Sequence, residues 1–342
     1  MTVQPRSSSR RVTIKDVAAR AGVSISTVSH VFSGARPISD RTSARVRQAA
    51  EDLDYRPDAV ARSLRTAQTG IIGFALRPRD AIAGSLRGTQ TFARLIGATA
   101  AHVLEQGRAM ILVPDLLDPQ ARQVPMDGCI LAHPYGNDPV LTHLLQRQVP
   151  LVTVDPDPDR PEQPWAVVVD YASAMRTLLA EMREQGANRI LLLSGTEDNA
   201  WNRHTAQAYT EWAAGHQDVV LHERLYEGEG VAGAARVVSA ALASAAPPDG
   251  VITAASTFAA GALEAIRSKR LAVPGDVLLA AWTDSEYTRN ASPPITALDL
   301  NLEEAAGEAV RLLTARLSGS PEPEEPVVVE PKLFWRASTG HA

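Results

Sequence analysis

The chain has 342 residues, 45% of them hydrophobic, a formal net charge of −5 and a single cysteine. This length exceeds what one hydrophobic core ordinarily holds, so two or more packed units are expected. The lone Cys129 excludes an internal disulfide framework, and a membrane span would need about 18 consecutive apolar residues, which the chain lacks. The first residues carry no secretory pattern, so we expect a cytoplasmic protein without a membrane partner.

The charge is unevenly distributed along the chain. Residues 1–65 carry 12 Lys and Arg against 6 Asp and Glu, whereas residues 66–342 carry 22 against 33. A basic head on an acidic body is expected where one end of a protein meets a polyanion. An ordinary solvated surface would explain the same asymmetry, so charge alone leaves both interpretations open.

Three helices are predicted in residues 12–55, after a tail at 1–11 that we expect to be disordered. Thr13, Ser24 and Ser39 are placed as their N-caps, and Gly22 ends the first. Apolar residues recur every three or four positions and should face one core: Ile14, Val17, Ala18 and Ala21, then Ile25, Val28, Val31 and Phe32, then Ala44, Val46, Ala50 and Leu53. Two short helices joined by a tight turn, with a third completing the core, form a helix-turn-helix unit.

The stretch "GVSISTVSHVF" lines the open face of the second helix with hydroxyls and one imidazole. A helix in the major groove must approach base edges closely, and long acidic side chains there would be repelled by phosphate. Short hydroxyls fit, and they donate to or accept from bases and phosphates. The pattern therefore favours a DNA-reading helix over a surface helix that merely tolerates serine and threonine.

The segments "TIKDVAARAGVSISTVSHVF" and "YRPDAVARSLRT" resemble the lactose/galactose repressor (LacI/GalR) family, and the head is most similar to that of its purine repressors. The likeness runs through residues 12–66 without a gap. It implies base reading by Ile25, Ser26 and His30. Contacts to the DNA backbone are implied for Thr13, Ser24, Thr27, Ser29, Ser33, Ser39, Thr42 and Tyr55.

Residues 56–69 resemble the family's hinge helix and linker. Pro57 suits the first turn of a helix, but eight residues are too few for a stable isolated helix. The resemblance implies that Leu64 wedges into the minor groove and that Ala61, Arg62 and Arg65 also contact DNA; such wedges kink the duplex. A plain linker is the alternative, and Asp58 departs from the family, where asparagine is common.

From residue 70, buried apolar runs alternate with helical patterns at 84–106, 138–147, 171–185, 203–214, 231–244, 256–268 and 302–317. This alternation predicts parallel sheets covered on both faces, with ligands beyond the carboxyl ends of the strands. The resemblance implies that residues 70–342 form a periplasmic-binding-protein-like α/β core of two Rossmann-like subdomains. These are expected at about 71–168 plus 299–325 and at 169–298 plus 326–337.

Nothing in the sequence favours an enzyme, a metal site or a cofactor. "GEGVAG" spells a dinucleotide fingerprint, but it lies in mid-chain, and Glu229 would face the pyrophosphate, so we interpret it as a glycine-rich loop. The histidines of the body are scattered without metal-ligand spacing.

The expected effector cleft departs from sugar-binding relatives at four places: Thr283, Ala255 with Ser256, Thr205 and Gly230 stand where an Asp, an Asn-Asp pair, an Arg and an aromatic are usual. The remaining candidate effector-binding residues are Arg77, Asp155, Trp201, Asn202, Arg203, Trp282 and Asp284. The tryptophans could stack on a ligand, and Arg77 and Arg203 could pair with a carboxylate or phosphate. The effector is thus a sugar-like or an acidic or phosphorylated metabolite, and a cleft that binds none is the alternative.

These patterns predict a sequence-specific transcription regulator, a repressor that binds a near-palindromic double-stranded operator as a homodimer. The end "KLFWRASTGHA" shows no heptads, so we expect a dimer rather than a tetramer. An activator or an effector-independent DNA-binding regulator is the alternative. A solute-binding protein would share the body but lack the basic head.

Overall fold

The computed structural model of the protein describes residues 12–33, 36–56, 68–77, 90–114, 116–120, 124–216 and 219–341. The chain divides into two compact units, 1–69, the head, and 70–342, the body. The predicted tail and the hinge residues Ala61, Arg62, Leu64 and Arg65 lie outside the described residues. In the described part of the chain, no helix combines the length and apolar character that a membrane crossing requires.

The head consists of α1 (Ile14–Ala21), α2 (Ile25–Ser33) and α3 (Asp40–Asp52). The Asp16 carboxylate accepts hydrogen bonds from the backbone N–H of Thr13 at 2.8 Å and from its hydroxyl at 2.7 Å, which fixes the start of α1. Gly22, at φ 61°, ends α1 in the left-handed conformation that glycine adopts without strain. The α1–α2 turn is therefore specified by local chemistry on both sides.

A small apolar core holds the three helices together. Val17, Val28 and Val46 are fully buried, and Ala18, Ala21, Ala49 and Ala50 complete the cluster. Two expectations about the core were wrong: Ile25 is 45% exposed, and Ala44 also faces solvent. On α3, Ala49 is buried instead of Ala44, because the apolar face of this helix passes through positions 46, 49 and 50.

The first sheet of the body has the order β11-β5-β4-β3-β1-β2, and all its pairs are parallel. Its strands are Ile71–Leu76 (β1), Ala109–Leu112 (β2), Gly128–Ala132 (β3), Leu151–Val154 (β4), Ala166–Val169 (β5) and Val327–Val329 (β11). Its helices are Gln90–Glu105 (α4), Pro139–Gln146 (α5) and Leu302–Leu317 (α11). α11 packs on α4 and covers one face of β3, β4 and β5, while α5 packs on the other face, so every residue of β3 and β4 is buried.

The second sheet has the order β12-β10-β9-β8-β6-β7, parallel except where β12 pairs with β10. Its strands are Ile190–Ser194 (β6), Leu221–Arg224 (β7), Gly250–Thr253 (β8), Leu278–Ala281 (β9), Thr296–Asp299 (β10) and Lys332–Phe334 (β12). Its helices are Tyr171–Glu184 (α6), Ala200–His216 (α7), Gly230–Leu242 (α8), Ser256–Ser268 (α9) and Glu286–Arg289 (α10). The predicted fold class, a helical head with an α/β core of two parallel-sheet subdomains, is confirmed.

The structure differs from the sequence expectations at several boundaries. α7 begins at Ala200 rather than at 203, because the side-chain oxygen of Asn199 accepts the backbone N–H of Asn202 at 3.0 Å and starts the helix earlier. β11 lies in the first sheet, although residues 326–337 were expected in the second. Three-residue strands such as β11 and β12 are too short to show a period in the sequence.

Close packing of α8 against α9 depends on Gly261. A Cβ at this position would collide with the carbonyl oxygen of Val231 and lie 2.9 Å from the Cβ of Ala234. We expect Gly261→Ala to lower the free energy of unfolding by about 1–3 kcal/mol, because backbone atoms cannot move aside as a flexible side chain can. A urea titration monitored by tryptophan fluorescence measures this change in the free energy of unfolding.

Gly97 supplies the matched control for that substitution. It lies in α4, and a Cβ there would meet nothing within 4 Å. Gly97→Ala should therefore leave stability unchanged or raise it by up to about 1 kcal/mol, since alanine is the better helix former. Equal losses in both variants would contradict the packing argument.

Candidate functional site

The open face of α2 presents hydroxyls that are already organised by one another. Ser24 and Ser26 are exposed, and their hydroxyl oxygens lie 2.7 Å apart. The Ser24 oxygen also lies 2.8 Å from the Thr27 hydroxyl and accepts the Thr27 backbone N–H at 3.1 Å. Because Ser24 uses its oxygen as a helix cap, the trio forms a fixed donor and acceptor surface at the amino end of α2.

Ile25 is the large apolar side chain of this face. It is 45% exposed, whereas Val28 on the same helix is fully buried. The exposed methyl groups can make only apolar contacts, such as with a thymine methyl in the major groove. Ser29 and His30 follow on the same helix and are half-buried.

The remaining predicted backbone contacts surround α2. Ser39 precedes α3, and its hydroxyl donates to the Thr42 hydroxyl at 2.9 Å. Tyr55 packs its ring against Phe32, with centroids 6.1 Å apart, which ties the chain after α3 to the end of α2. The exposed Thr13 stands at the amino end of α1, where backbone N–H groups favour an anion. Ser33 ends α2.

In the body, three polar residues directly follow adjacent strands of the first sheet. Arg77, His133 and Asp155 come after β1, β3 and β4, and their backbone N–H groups continue the ladder to Ala132, Val154 and Val167. All three are at least nine-tenths buried. The carboxyl ends of neighbouring parallel strands therefore bring them to one edge of the sheet, where ligands bind in such folds.

Asp155 and His133 form a buried pair. Asp155 Oδ2 lies 2.8 Å from His133 Nδ1 and accepts the Tyr171 hydroxyl at 2.7 Å. Burial, followed by the negative charge of Asp155, raises the pKa of Tyr171 well above its ordinary value, so its hydroxyl stays protonated and donates. Tyr171 is the first residue of α6, a helix of the second subdomain, whereas His133 and Asp155 belong to the first. This network therefore connects the two subdomains of the body.

Both candidate arginines are engaged by carboxylates of the protein itself. Arg77 donates from Nε to Asp138 at 2.8 Å, and its guanidinium lies over the Tyr135 ring at 5.2 Å. Arg203 binds Asp198 through two nitrogens, at 2.5 and 2.7 Å, and Asp159 at 2.6 Å. The hydrogen bonds from Arg203 hold the pKa of Asp198 below its usual value.

Several contacts connect the loops after β3 and β4 with the loop after β6. Tyr135 Oη donates to Glu197 at 2.9 Å, and the Gly136 N–H donates to the carbonyl of Asp198 at 2.8 Å. A Cβ on Gly136 would lie 2.5 Å from the Arg203 guanidinium and 2.7 Å from Asp159, so a larger residue would require these side chains to move. These contacts hold the two sheets together on one side of the cleft.

A separate hydrogen bond joins a helix of the first subdomain to one of the second. The Gln90 side chain at the start of α4 accepts the Glu286 N–H of α10 at 3.1 Å. Asp284, just before α10, is buried and accepts from Arg289 at 2.7 Å and from Arg336 at 2.8 Å. Burial alone would raise the pKa of Asp284, but hydrogen bonds from Arg336 and Thr288 outweigh it and lower the pKa. Both carboxylate oxygens of Asp284 therefore already accept hydrogen bonds from side chains of the protein.

The other candidate residues are placed as follows. Trp201 is half-buried and meets the Tyr171 ring edge-on, with centroids 5.2 Å apart. Asn202 holds the loop after β6 through Gly195 at 3.1 Å. Trp282 is fully buried at the end of β9, and its indole nitrogen has no partner among the described residues.

Sequence reasoning missed several residues of this cleft: Tyr135, Asp138, Asp157, Asp159, Glu197, Asp198 and the partner role of His133. Most of their partners across the cleft lie 19 to 62 positions away, as with Asp157 and the Asp138 N–H or Tyr135 and Glu197, and local spacing does not mark these pairs. Asp198 differs, because its partner Arg203 is five positions away. The one signal available was position, because His133 directly follows a buried strand just as Asp155 does. Within the described ranges, the structure contains no group of three or more His, Cys, Asp or Glu that could hold a metal.

Comparisons with known proteins match both units. Residues 13–58 match the family described as "Bacterial regulatory proteins, lacI family", and residues 179–339 match the periplasmic binding protein-like domain. The transcriptional regulator CelR of Thermobifida fusca is 28% identical over 96% of this chain and 98% of its own length. The transcriptional repressor PurR of Pasteurella multocida (strain Pm70) is 28% identical over 95% of this chain and 98% of its own.

A solved structure supports the same architecture. The lac repressor dimer bound to operator and the anti-inducer ONPF matches with a TM-score of 0.79 at 20% identity, over 96% of this chain and 99% of that one. At this identity the likeness concerns the fold.

Proposed function

Because the chain belongs to the lacI family of bacterial regulatory proteins, it is a DNA-binding regulator of transcription, and we propose that it acts as a repressor on a near-palindromic operator. Two copies of the chain would place two α2 helices in successive major grooves, each reading one half-site. Its work on chromosomal DNA places it in the bacterial cytoplasm and requires no catalytic step.

The exposed face of α2 carries this proposal. An isoleucine at 45% exposure beside hydroxyls that orient one another is poorly suited to water and well suited to a groove floor. The excess of basic residues in residues 1–65 adds the sequence-independent attraction to phosphate. The competing class, a solute-binding protein, has no use for such a head.

We further propose that a small molecule binds between the two sheets and controls the head. The loops after β3, β4 and β6 meet across the cleft through Tyr135, Gly136 and Arg203, so a ligand that alters these contacts alters the angle between the subdomains. Because DNA and effector act on one equilibrium, each changes the affinity of the other by the same factor. An effector that binds more tightly to the DNA-binding conformation is a co-repressor, and one that binds more tightly to the other conformation is an inducer.

Selection of bound sites from random duplexes tests the DNA-binding role. We expect an enriched palindrome whose affinity falls steeply with salt, since about 6–10 phosphate contacts are typical of such proteins. Transcript levels of the adjacent genes, with and without the protein, then separate repressor from activator. A salt slope near zero, or no preference over scrambled competitor, would count against the proposal.

A further inference from the structure

The Asp155–His133 pair contains two buried acceptor atoms that nothing in the described structure satisfies. Asp155 is 1% exposed and His133 is 5% exposed. Asp155 Oδ2 is occupied by His133 and Tyr171, whereas Asp155 Oδ1 and His133 Nε2 have no hydrogen-bond partner among the described residues. Buried polar atoms in native proteins are nearly always paired, so among the described residues this site lacks a partner that donates.

The direction of the missing hydrogen bonds follows from the chemistry of the pair. An ionised carboxylate only accepts, so His133 Nδ1 must carry the proton it shares with Asp155. When the imidazole is neutral, Nε2 is an acceptor as well. A ligand that satisfies the Asp155 carboxylate must therefore bring at least one donor group, and an ammonium group brings three.

The charge around the pair favours a cation. Arg77 is already matched by Asp138 at 2.8 Å, and Arg203 is matched by Asp198 and Asp159. Asp157, fully buried in the same loop as Asp159, is held by backbone N–H groups rather than by a guanidinium, with bonds of 2.9 to 3.0 Å. Arg160 of the same loop donates to the Thr142 hydroxyl at 3.3 Å, and carboxylates outnumber cations even when it is counted. This balance favours a cationic ligand over a carboxylate or phosphate.

Aromatic rings flank the same place. Phe92 meets the His133 ring edge-on, with centroids 5.4 Å apart, and the Tyr171 ring meets Trp201 in the same way at 5.2 Å. Ring faces attract organic cations in desolvated sites. We propose that the effector of this cleft carries a protonated amine, whose ammonium group binds Asp155 and His133 between these rings.

This inference rests on the proposed function, because it names the ligand class of the same cleft. It differs from the sequence expectation of a sugar-like or acidic ligand, in which Arg77 and Arg203 were to bind the anion. A neutral polyol would donate hydrogen bonds to the acceptors but would not neutralise the negative charge of the carboxylates. The property to test is therefore the positive charge of the ligand.

Matched ligand sets test the proposal on the full-length protein. The probes are glucosamine, glucose and glucuronate; tyramine, tyrosol and 4-hydroxyphenylacetate; and putrescine, 1,4-butanediol and succinate. We expect at least one amine to raise the melting temperature and to give a calorimetric binding isotherm, while its neutral and acidic counterparts do not. Stabilisation by only neutral or acidic members, equal stabilisation by all three members of a set, or no stabilisation by any amine would overturn the inference.

Two variants assign the effect to the carboxylate. Asp155→Asn keeps the shape and removes the charge, and we expect the affinity for the bound amine to fall at least about 30-fold. Asp249→Asn is the matched control. Asp249 directly precedes β8 and accepts hydrogen bonds from the backbone N–H groups of Asn188 and Arg189, which precede β6, so it lies at the amino ends of the strands. It should leave amine affinity within about threefold of the parent. An equal loss in both variants would contradict the assignment.

Tyr171→Phe keeps the inference testable if Asp155→Asn does not fold. This change removes a donor that competes for Asp155 but retains the charge, so amine affinity should hold or increase. A loss as large as that expected for Asp155→Asn would show that the hydroxyl network, not the charge, binds the ligand. Operator selection separates this inference from the proposed function. If the protein selects a palindrome but binds no amine, only this inference is refuted.

Discussion

Ile25→Glu should abolish specific operator binding while the head remains folded. The residue is 45% exposed at the first position of α2, so its removal opens no cavity. An acidic side chain at a helix amino end even interacts favourably with the helix dipole. Against DNA, however, the carboxylate would face phosphates and base edges without a counter-ion. We expect a loss of at least about 100-fold in operator affinity, measured by fluorescence anisotropy with a labelled duplex.

Ala44→Glu is the control for this substitution. Ala44 is also exposed and helical, but it lies on α3 and outside the predicted DNA contacts. The same change in net charge should lower operator affinity by less than about tenfold, through the general loss of attraction. If the two glutamates weaken binding equally while circular dichroism shows both heads folded, α2 is not the reading helix.

Asp138→Ala should produce the largest loss of stability in the body. Asp138 is fully buried, pairs with Arg77 at 2.8 Å and accepts the backbone N–H groups of Tyr135 at 2.9 Å and Val140 at 2.7 Å. Its removal leaves a buried guanidinium without its carboxylate and the start of α5 without its cap. We expect the free energy of unfolding to fall by about 3–5 kcal/mol. Tryptophan fluorescence in urea reports this change from the body, because all five tryptophans lie beyond residue 70.

An exposed ion pair provides the contrast. Arg311 and Glu308 lie 2.7 Å apart on α11, with 58% and 30% of their side chains exposed. Arg311→Ala should change the free energy of unfolding by less than about 1 kcal/mol, since solvent screens the pair and its side chains lose freedom when they bind. Comparable losses in the two variants would mean that burial does not set the strength of the Arg77–Asp138 pair.

The head could be predicted closely because its signals are local. Caps, a turn glycine and a helical period lie within a few residues of one another, and Val17, Val28 and Val46 are buried as expected. The misplaced residues, Ile25 and Ala44, are apolar side chains that face solvent. Periodicity assigns an apolar residue to the core by default, whereas the resemblance to the family assigned Ile25 to base reading, which fits its exposure.

The cleft was less predictable because its partners are distant in sequence. The sequence identified Asp155 as a candidate effector-binding residue, but it could not show that His133, 22 positions earlier, would lie 2.8 Å from it. Nor could it show that Arg77 and Arg203 would be occupied by Asp138, Asp159 and Asp198. Charge complementarity across a cleft is fixed by tertiary packing, so a sequence identifies ionisable residues without their partners.

Cys129 lies in the middle of β3, fully buried, where burial raises the pKa of its thiol to about 12. The sulfur is therefore protonated and shielded at neutral pH, and maleimide reagents should pass it by. Two cysteines introduced on the surface, one on each subdomain, would then be the points of dye attachment, with the native thiol left in place. The chain is thus suited to single-molecule distance measurements between the two dyes that follow the cleft as ligand and operator are added.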